Sequence, residues 1–310
     1  MVGLFSFSIE EQAQTITRDQ ILAAVQQGDT QTVQRWMSQV TKRASHQSHA
    51  KRRMRIDPIN AAVYDGKSLL HHACGSGHVE IIDCVVSSNA ANIEVTDNKC
   101  HTPLGYACLH GHLEAVKYLM MRTDANINRR GGDGSTPLDL ACFAGKTDVV
   151  KFLMGCGKVD MSVFAQRRDT PLHQACLGGD LGTVQWLITQ DGVDINVRDD
   201  DNFTPFQYAC QENHVDVVKH LLCVGSVDVN MRDDDGESVL HDACRHGYIE
   251  LVRCLLKADG IDVNLRNVEG KTPISIARQN ENVEIIGYLL ASGRVQNLKT
   301  ATRNTTEAWR

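Results

Sequence analysis

The sequence has no apolar run near the roughly 18 residues that a membrane-spanning helix needs. Its start, Met1-Val2-Gly3-Leu4-Phe5, lacks a basic n-region and soon meets Glu10-Glu11, which makes a poor secretory signal. None of the 11 cysteines is spaced Cys-x-x-Cys, and their number is odd. Both points argue against a secreted disulfide framework and for reduced thiols in the cytoplasm or nucleus. Walker A, Gly-x-Ser-x-Gly and His-Glu-x-x-His signatures are all missing, so a non-enzymatic chain without a cofactor is expected. Aromatic residues are scarce, at 5%, yet 42% apolar and 23% charged residues make a globular composition that excludes disorder and collagen-like fibres.

Charge is unevenly spread. Residues 1–60 hold 8 Lys/Arg against 5 Asp/Glu, whereas the rest hold 24 against 33, so a net +3 meets a net −9 to give −6. A mildly acidic bulk is the wrong balance for a general nucleic-acid binder.

A length of 310 residues alone suggests about two domains, but internal symmetry overrides that count. One alanine recurs every 34 residues, at Ala73, Ala107, Ala141, Ala175, Ala209, Ala243 and Ala277. Cysteine follows it in all but the last, where Arg278 stands. Thr-Pro pairs at 102, 136, 170, 204 and 272 put a capping hydroxyl before a proline suited to the first helical turn. Gly77, Gly111, Gly145, Gly179 and Gly247 are suited to the left-handed residue that ends this helix. A second helix carries Ile82, Val116, Val150, Val184, Val218, Val252 or Ile286 and an apolar pair such as Leu221-Leu222, Leu255-Leu256 or Leu289-Leu290. Each pair is expected to bury two side chains worth roughly 2 kcal/mol apiece. An extended arm and turn follow, as in Val227-Asp228-Val229-Asn230 and Asp233-Asp234-Asp235-Gly236.

This pattern resembles the ankyrin repeat, whose Thr-Pro-Leu-His-x-Ala motif reads Thr170-Pro171-Leu172-His173-Gln174-Ala175 and whose Gly-His junction reads Gly77-His78 and Gly111-His112. Gly105, Asp139, Gln207 and Ser275 depart from the motif histidine, Asn213 and Asn280 from the helix-ending glycine, and the repeat at Gln166–Asp169 lacks its turn glycine. The resemblance covers about residues 17–293 and implies an all-α solenoid of stacked helix-turn-helix units with short β-hairpin-like arms. The expected organisation is a tail at 1–16, a capping helix pair at 17–38, a basic insertion at 39–56, seven repeats at 57–293 and a frayed tail at 294–310. The insertion follows from the 49 residues between Ala24 and Ala73, one period plus 15.

Sites of chemistry are few. Asp233-Asp234-Asp235-Gly236 has Met231 and Asp242 where a calcium hand needs ligands, so it reads as a solvated turn. Cys100, His101, Cys108, His110 and His112 are zinc-ligand types, and a metal- or thiol-dependent activity there is the competing enzymatic reading. The repeat register instead sends Cys108 into the core and His112 to a helix junction, and it gives His71, His173 and His241 structural hydrogen bonds between repeats.

The resemblance implies a concave recognition surface of turn tips and inner first-helix residues, and hence a monomeric scaffold or adaptor for a protein partner. On this chain it would use Arg130, Phe143, Phe164, Arg198, Phe203, Arg232, Glu237, Arg245, His246, Arg266 and Lys271. Arg198, Arg232 and Arg266 share one arm position. Either they pair with turn carboxylates such as Asp199 and Asp233, or they offer planar forks to an acidic or phosphorylated partner. Lys42, Arg43, Lys51, Arg52, Arg53 and Arg55, with no acid from 41 to 56, read as a solvated linker, a nuclear-import signal or a contact for an acidic partner. The family also implies asparaginyl hydroxylation in the arms. Asn230 and Asn264 have the favoured leucine eight residues upstream and acid two upstream, and Asn196 has Ile188 in place of the leucine.

Overall fold

The computed structural model describes residues 16–45, 60, 62–88, 91–160 and 169–296, with side chains except at 41–45 and 62–64. The chain divides into two compact units, Met1–Gly134 and Ser135–Arg310. Among the described residues the N-terminal unit holds three helix pairs: α1 Arg18–Gln27 with α2 Thr30–Ser45, α3 Leu69–Ser76 with α4 Val79–Val86, and α5 Pro103–His110 with α6 Leu113–Arg122. The C-terminal unit holds five: α7 Pro137–Phe143 with α8 Thr147–Gly155, α9 Pro171–Gly178 with α10 Leu181–Leu187, α11 Pro205–Gln211 with α12 Val215–Val224, α13 Val239–His246 with α14 Ile249–Leu255, and α15 Pro273–Gln279 with α16 Val283–Ala291. A short antiparallel hairpin, β1 Ala62–Tyr64 and β2 Lys67–Ser68, leads into α3.

Each first helix starts from its own local chemistry. Thr136, Thr204 and Ser68 accept the backbone N–H three residues on, and the side chain of Asp139, Gln207 or His71 reaches back to the cap's N–H. Asp139, Gln207 and Ser275 therefore keep the capping role of the motif histidine, whereas Gly105 has no side chain to fill it. Where histidine is present it does more. The Nδ1 atoms of His71, His173 and His241 accept the cap's N–H at 3.0–3.1 Å, so Nε2 carries the proton. It donates to the carbonyls of His101, Phe203 and Lys271 at 3.0, 3.2 and 3.1 Å, tying each repeat to the next.

Within each unit, first helices pack on first helices and second on second. The alanine column is wholly buried, and its cysteines are at most 1% exposed. Small side chains bring neighbouring backbones together: a Cβ on Gly178 would lie 1.8 Å from the Phe143 carbonyl oxygen. Helix-end glycines are constrained twice. Gly77 has φ +75°, and a Cβ there would meet the His112 ring at 2.4 Å, where Nε2 is held by the Gly75 carbonyl.

Three expectations are corrected. Helix α2 runs on to Ser45, so residues 39–45 extend the cap rather than begin a linker. The left-handed residue of the last first helix is Glu281 (φ +56°), four after Ala277, and Asn280 keeps a negative φ. Only the first leucine of each pair is buried: Leu221, Leu255 and Leu289 are at most 1% exposed, whereas Leu290 is 40% exposed. The second buried layer is a Val217-Val218 or Leu251-Val252 pair one turn earlier.

Candidate functional site

The turn tips are built around a repeated Asp or Asn side-chain oxygen. Asp97 Oδ1 accepts the N–H groups of Lys99 and His101, Asp199 Oδ1 those of Asp201 and Phe203, and Asn267 Oδ1 those of Glu269 and Lys271. Asp233 accepts Glu237 N–H at 2.8 Å. The second oxygens of Asp97 and Asp199 take the hydroxyls of Tyr106 and Tyr208, each nine residues downstream, at 2.8 and 2.7 Å. Burial pushes the Asp97 carboxyl up, but bonds from Tyr106, His101 and Lys99 outweigh it and hold the pKa below the usual value. This Asp–Tyr spacing was visible in the sequence and went unread there.

The arginine row neither pairs with Asp199 and Asp233 nor stands free. Arg198 donates to the Asn202 side chain at 2.5 Å, Arg232 to the Gly236 carbonyl at 2.8 Å and Arg266 to the Gly270 carbonyl at 2.7 Å. Arg232 also reaches the Arg266 carbonyl of the next arm at 2.5 Å. Each guanidinium thus staples its own turn four residues on, because the turn points carbonyls inward and spends its aspartate on backbone N–H groups. Arg130 is half-buried on the arm of the N-terminal unit.

Glu237 is buried, 8% exposed, and is not a groove residue waiting for a partner. It accepts from Arg245 and, at 2.9 Å, from Asn267. Arg245 also pairs with Asp242 at 2.9 Å, so one guanidinium serves two carboxylates. Burial raises the Glu237 carboxyl, but bonds from Arg245 and Asn267 bring it below normal. For Asp242, burial and then the Glu237 charge push the pKa up to about 6 against the pull of Arg245.

Other expected residues fall as follows. Phe143 ends α7 with 45% exposure. Phe203 is half-buried with its ring 5.7 Å from Tyr208. The exposed His246 stacks on Tyr248, and Lys271 pairs with Glu269 at 2.6 Å. Phe164, Lys51, Arg52, Arg53 and Arg55 lie outside the described residues, as does the turn at 166–168, while Lys42 and Arg43 fall on α2 without described side chains. Asn196, Asn230 and Asn264 form a ladder along the arms: each amide donates to the carbonyl 30 residues on, at 2.6–2.8 Å, and accepts the N–H 32 residues on.

The cysteine and histidine cluster does not converge. Cys108 is buried in the core, His112 bonds the Gly75 carbonyl, His110 stacks on Tyr106, and Cys100 is exposed on a turn. Among the described residues no group of three or more His, Cys, Asp or Glu is placed to hold a metal ion. Burial pushes the core thiols up, Cys244 to about 12, which keeps them protonated.

A family model of ankyrin repeats, three copies long, matches residues 21–131, 96–165, 121–199, 138–233 and 206–300. The chain belongs to the ankyrin-repeat family. This ankyrin chain resembles the human ASB11 ankyrin repeat domain at 26% identity and a TM-score of 0.61, covering 73% of this chain and 98% of that one. It also resembles the ankyrin repeat domain of Bcl-3, a member of the IkappaB family, at 28% identity and a TM-score of 0.53, covering 72% and 99%. No curated protein matches it. Ankyrin repeat domains generally mediate protein–protein interaction. Among the described residues no helix is long and apolar enough to cross a membrane.

Proposed function

We propose that the chain is a non-enzymatic protein-binding scaffold that works through the inner first-helix face and turn tips of its C-terminal unit. The carrying observation is a change of chemistry at one register. Two positions before the surface row, every repeat of that unit has the same buried alanine, whereas the row itself reads Phe143, Leu177, Gln211, Arg245 and Gln279, all exposed or half-buried. The shared column builds the stack, and the varied row is free to select a partner. The arginine row, engaged with its own turns, gives little support to an acidic or phosphorylated partner.

Affinity capture from lysate with mass spectrometry tests this reading. A partner held by the wild type and lost from a folded Phe143→Glu/Gln211→Glu variant supports it, and identical capture by both sinks it. Arg198→Ala/Arg232→Ala/Arg266→Ala is expected to retain the partner. Hydroxylation of Asn230 or Asn264 would require the enzyme to lift the arm out of its amide ladder; intact mass after exposure to an asparaginyl hydroxylase should show added oxygen, and an unchanged mass rejects it.

A further inference from the structure

The varied face of the C-terminal unit changes character along its length. At α7 and α9 it is apolar: Leu140 and Leu177 are half-buried and Phe143 is exposed. The Phe143 and Gly178 backbones lie so close that a Cβ on Gly178 would meet the Phe143 carbonyl, which sets the ends of α7 and α9 side by side. His214 Nε2, bonded to the Leu177 carbonyl at 3.0 Å, continues the surface to the end of α11, where Glu212 is exposed. Beyond that the tips are acidic. Asp200, Asp201, Asp234 and Asp235 are all exposed, and among the described residues none has a Lys or Arg within ion-pair distance. The nearby cations are engaged: Arg198, Arg232 and Arg266 with their own turns, Lys271 with Glu269, and Arg245 between Glu237 and Asp242.

Resting on the binding reading above, we infer that this face takes an extended basic peptide segment of a partner protein, with a large apolar side chain at one end. The apolar side chain packs on Phe143 and Leu177, and Lys or Arg side chains meet the carboxylates of the Asp200–Asp201 and Asp234–Asp235 tips. Charge complementarity selects the sign, because the described tips at Asp200–Asp201 and Asp234–Asp235 offer exposed carboxylates with no Lys or Arg in ion-pair distance. Three helix spacings of roughly 10 Å separate α7 from α13. An extended chain rising about 3.3–3.6 Å per residue crosses that distance in about nine residues. The anchor and the farthest cation of the ligand are therefore expected roughly six to nine residues apart.

The test is selection of a displayed random dodecapeptide library on the full chain, with counter-selection on Phe143→Glu. The expected pool carries one large apolar residue and two or more Lys or Arg at that spacing. A synthetic peptide from the pool should bind about tenfold more weakly to Asp234→Asn/Asp235→Asn, and more weakly again as salt rises. Both aspartates are exposed, so that variant folds. Enrichment of acidic or uncharged peptides on the same face overturns the basic ligand but leaves the binding face standing. Peptides that bind Phe143→Glu equally well overturn both. An empty selection overturns the peptide ligand and leaves lysate capture to decide the binding face.

Discussion

The tip turns at Asp97–His101 and Asp233–Glu237 share a backbone and differ in nearly every side chain. In both, the aspartate N–H bonds the carbonyl four residues on, at 3.1 and 3.0 Å, and its side chain accepts a returning N–H. The left-handed residue is Cys100 (φ +61°) in the first and Gly236 (φ +71°) in the second. The first turn is braced by Tyr106 and has Thr96 at the arm position; the second is braced by Arg232 and carries the buried Glu237 beside Asp242. One backbone thus tolerates two bracing schemes, since the stack of repeats dictates the turn while the side chains only have to satisfy its polar groups. That freedom lets one unit carry acidic tips without rebuilding its fold.

The sharpest way to break this comparison is Asp97→Ala, which removes the Oδ1 acceptor of two N–H groups and the Oδ2 partner of Tyr106 together. It should cost about 3 kcal/mol in chemical denaturation, against about 1 kcal/mol for Asp233→Ala. Because the folded-state pKa of Asp97 is depressed, its contribution is present above the unfolded carboxyl value and is lost as pH falls; equal losses at pH 7 and pH 3 would reject this role.

Asp242 has the opposite sign. With a folded pKa of about 6 against 3.8 unfolded, it is protonated more readily when folded, so its penalty grows as pH rises from about 4 to about 6 and stays constant above that. Asp242→Asn should therefore stabilise by about 1–2 kcal/mol at pH 7.5, with the gain fading towards pH 4. Thermal melts across that range check it, and a gain independent of pH would rule out the burial argument.

Exchanging the left-handed residues gives a smaller, reciprocal effect. Cys100→Gly should stabilise and Gly236→Cys destabilise, each by about 1 kcal/mol, since only glycine adopts positive φ without penalty. The smallest effect belongs to Arg232→Ala, which removes carbonyl bonds at an exposed turn and should cost about 0.5–1 kcal/mol. A loss above about 2 kcal/mol would show that the arm-to-arm bond to Arg266 matters more than its exposure suggests.

Much of this was open to reading before any coordinates. The interrepeat role of His71, His173 and His241 followed from their fixed place in the repeat, and the buried Ala-Cys column from its invariance across copies. Candidate site residues fared less evenly. Phe143 is exposed, whereas Glu237 is buried and paired, because its environment is set by Arg245 and Asn267, the latter 30 residues away. The left-handed turn position holds Gly66, Cys100, Gly134, Asn202, Gly236 and Gly270 at multiples of 34, yet Cys100 attracted attention as a metal ligand because its residue type masked its register.

By itself the sequence determined the period, the helix starts and stops and the buried column, since caps, prolines, glycines and small residues act on backbone within a few residues of themselves. Tertiary structure alone decided which leucine of each pair is buried, where the arginine forks point and why Asp242 titrates high. Those outcomes depend on carbonyls, charges and surfaces supplied by the folded turns and the neighbouring repeat, which a local pattern does not contain.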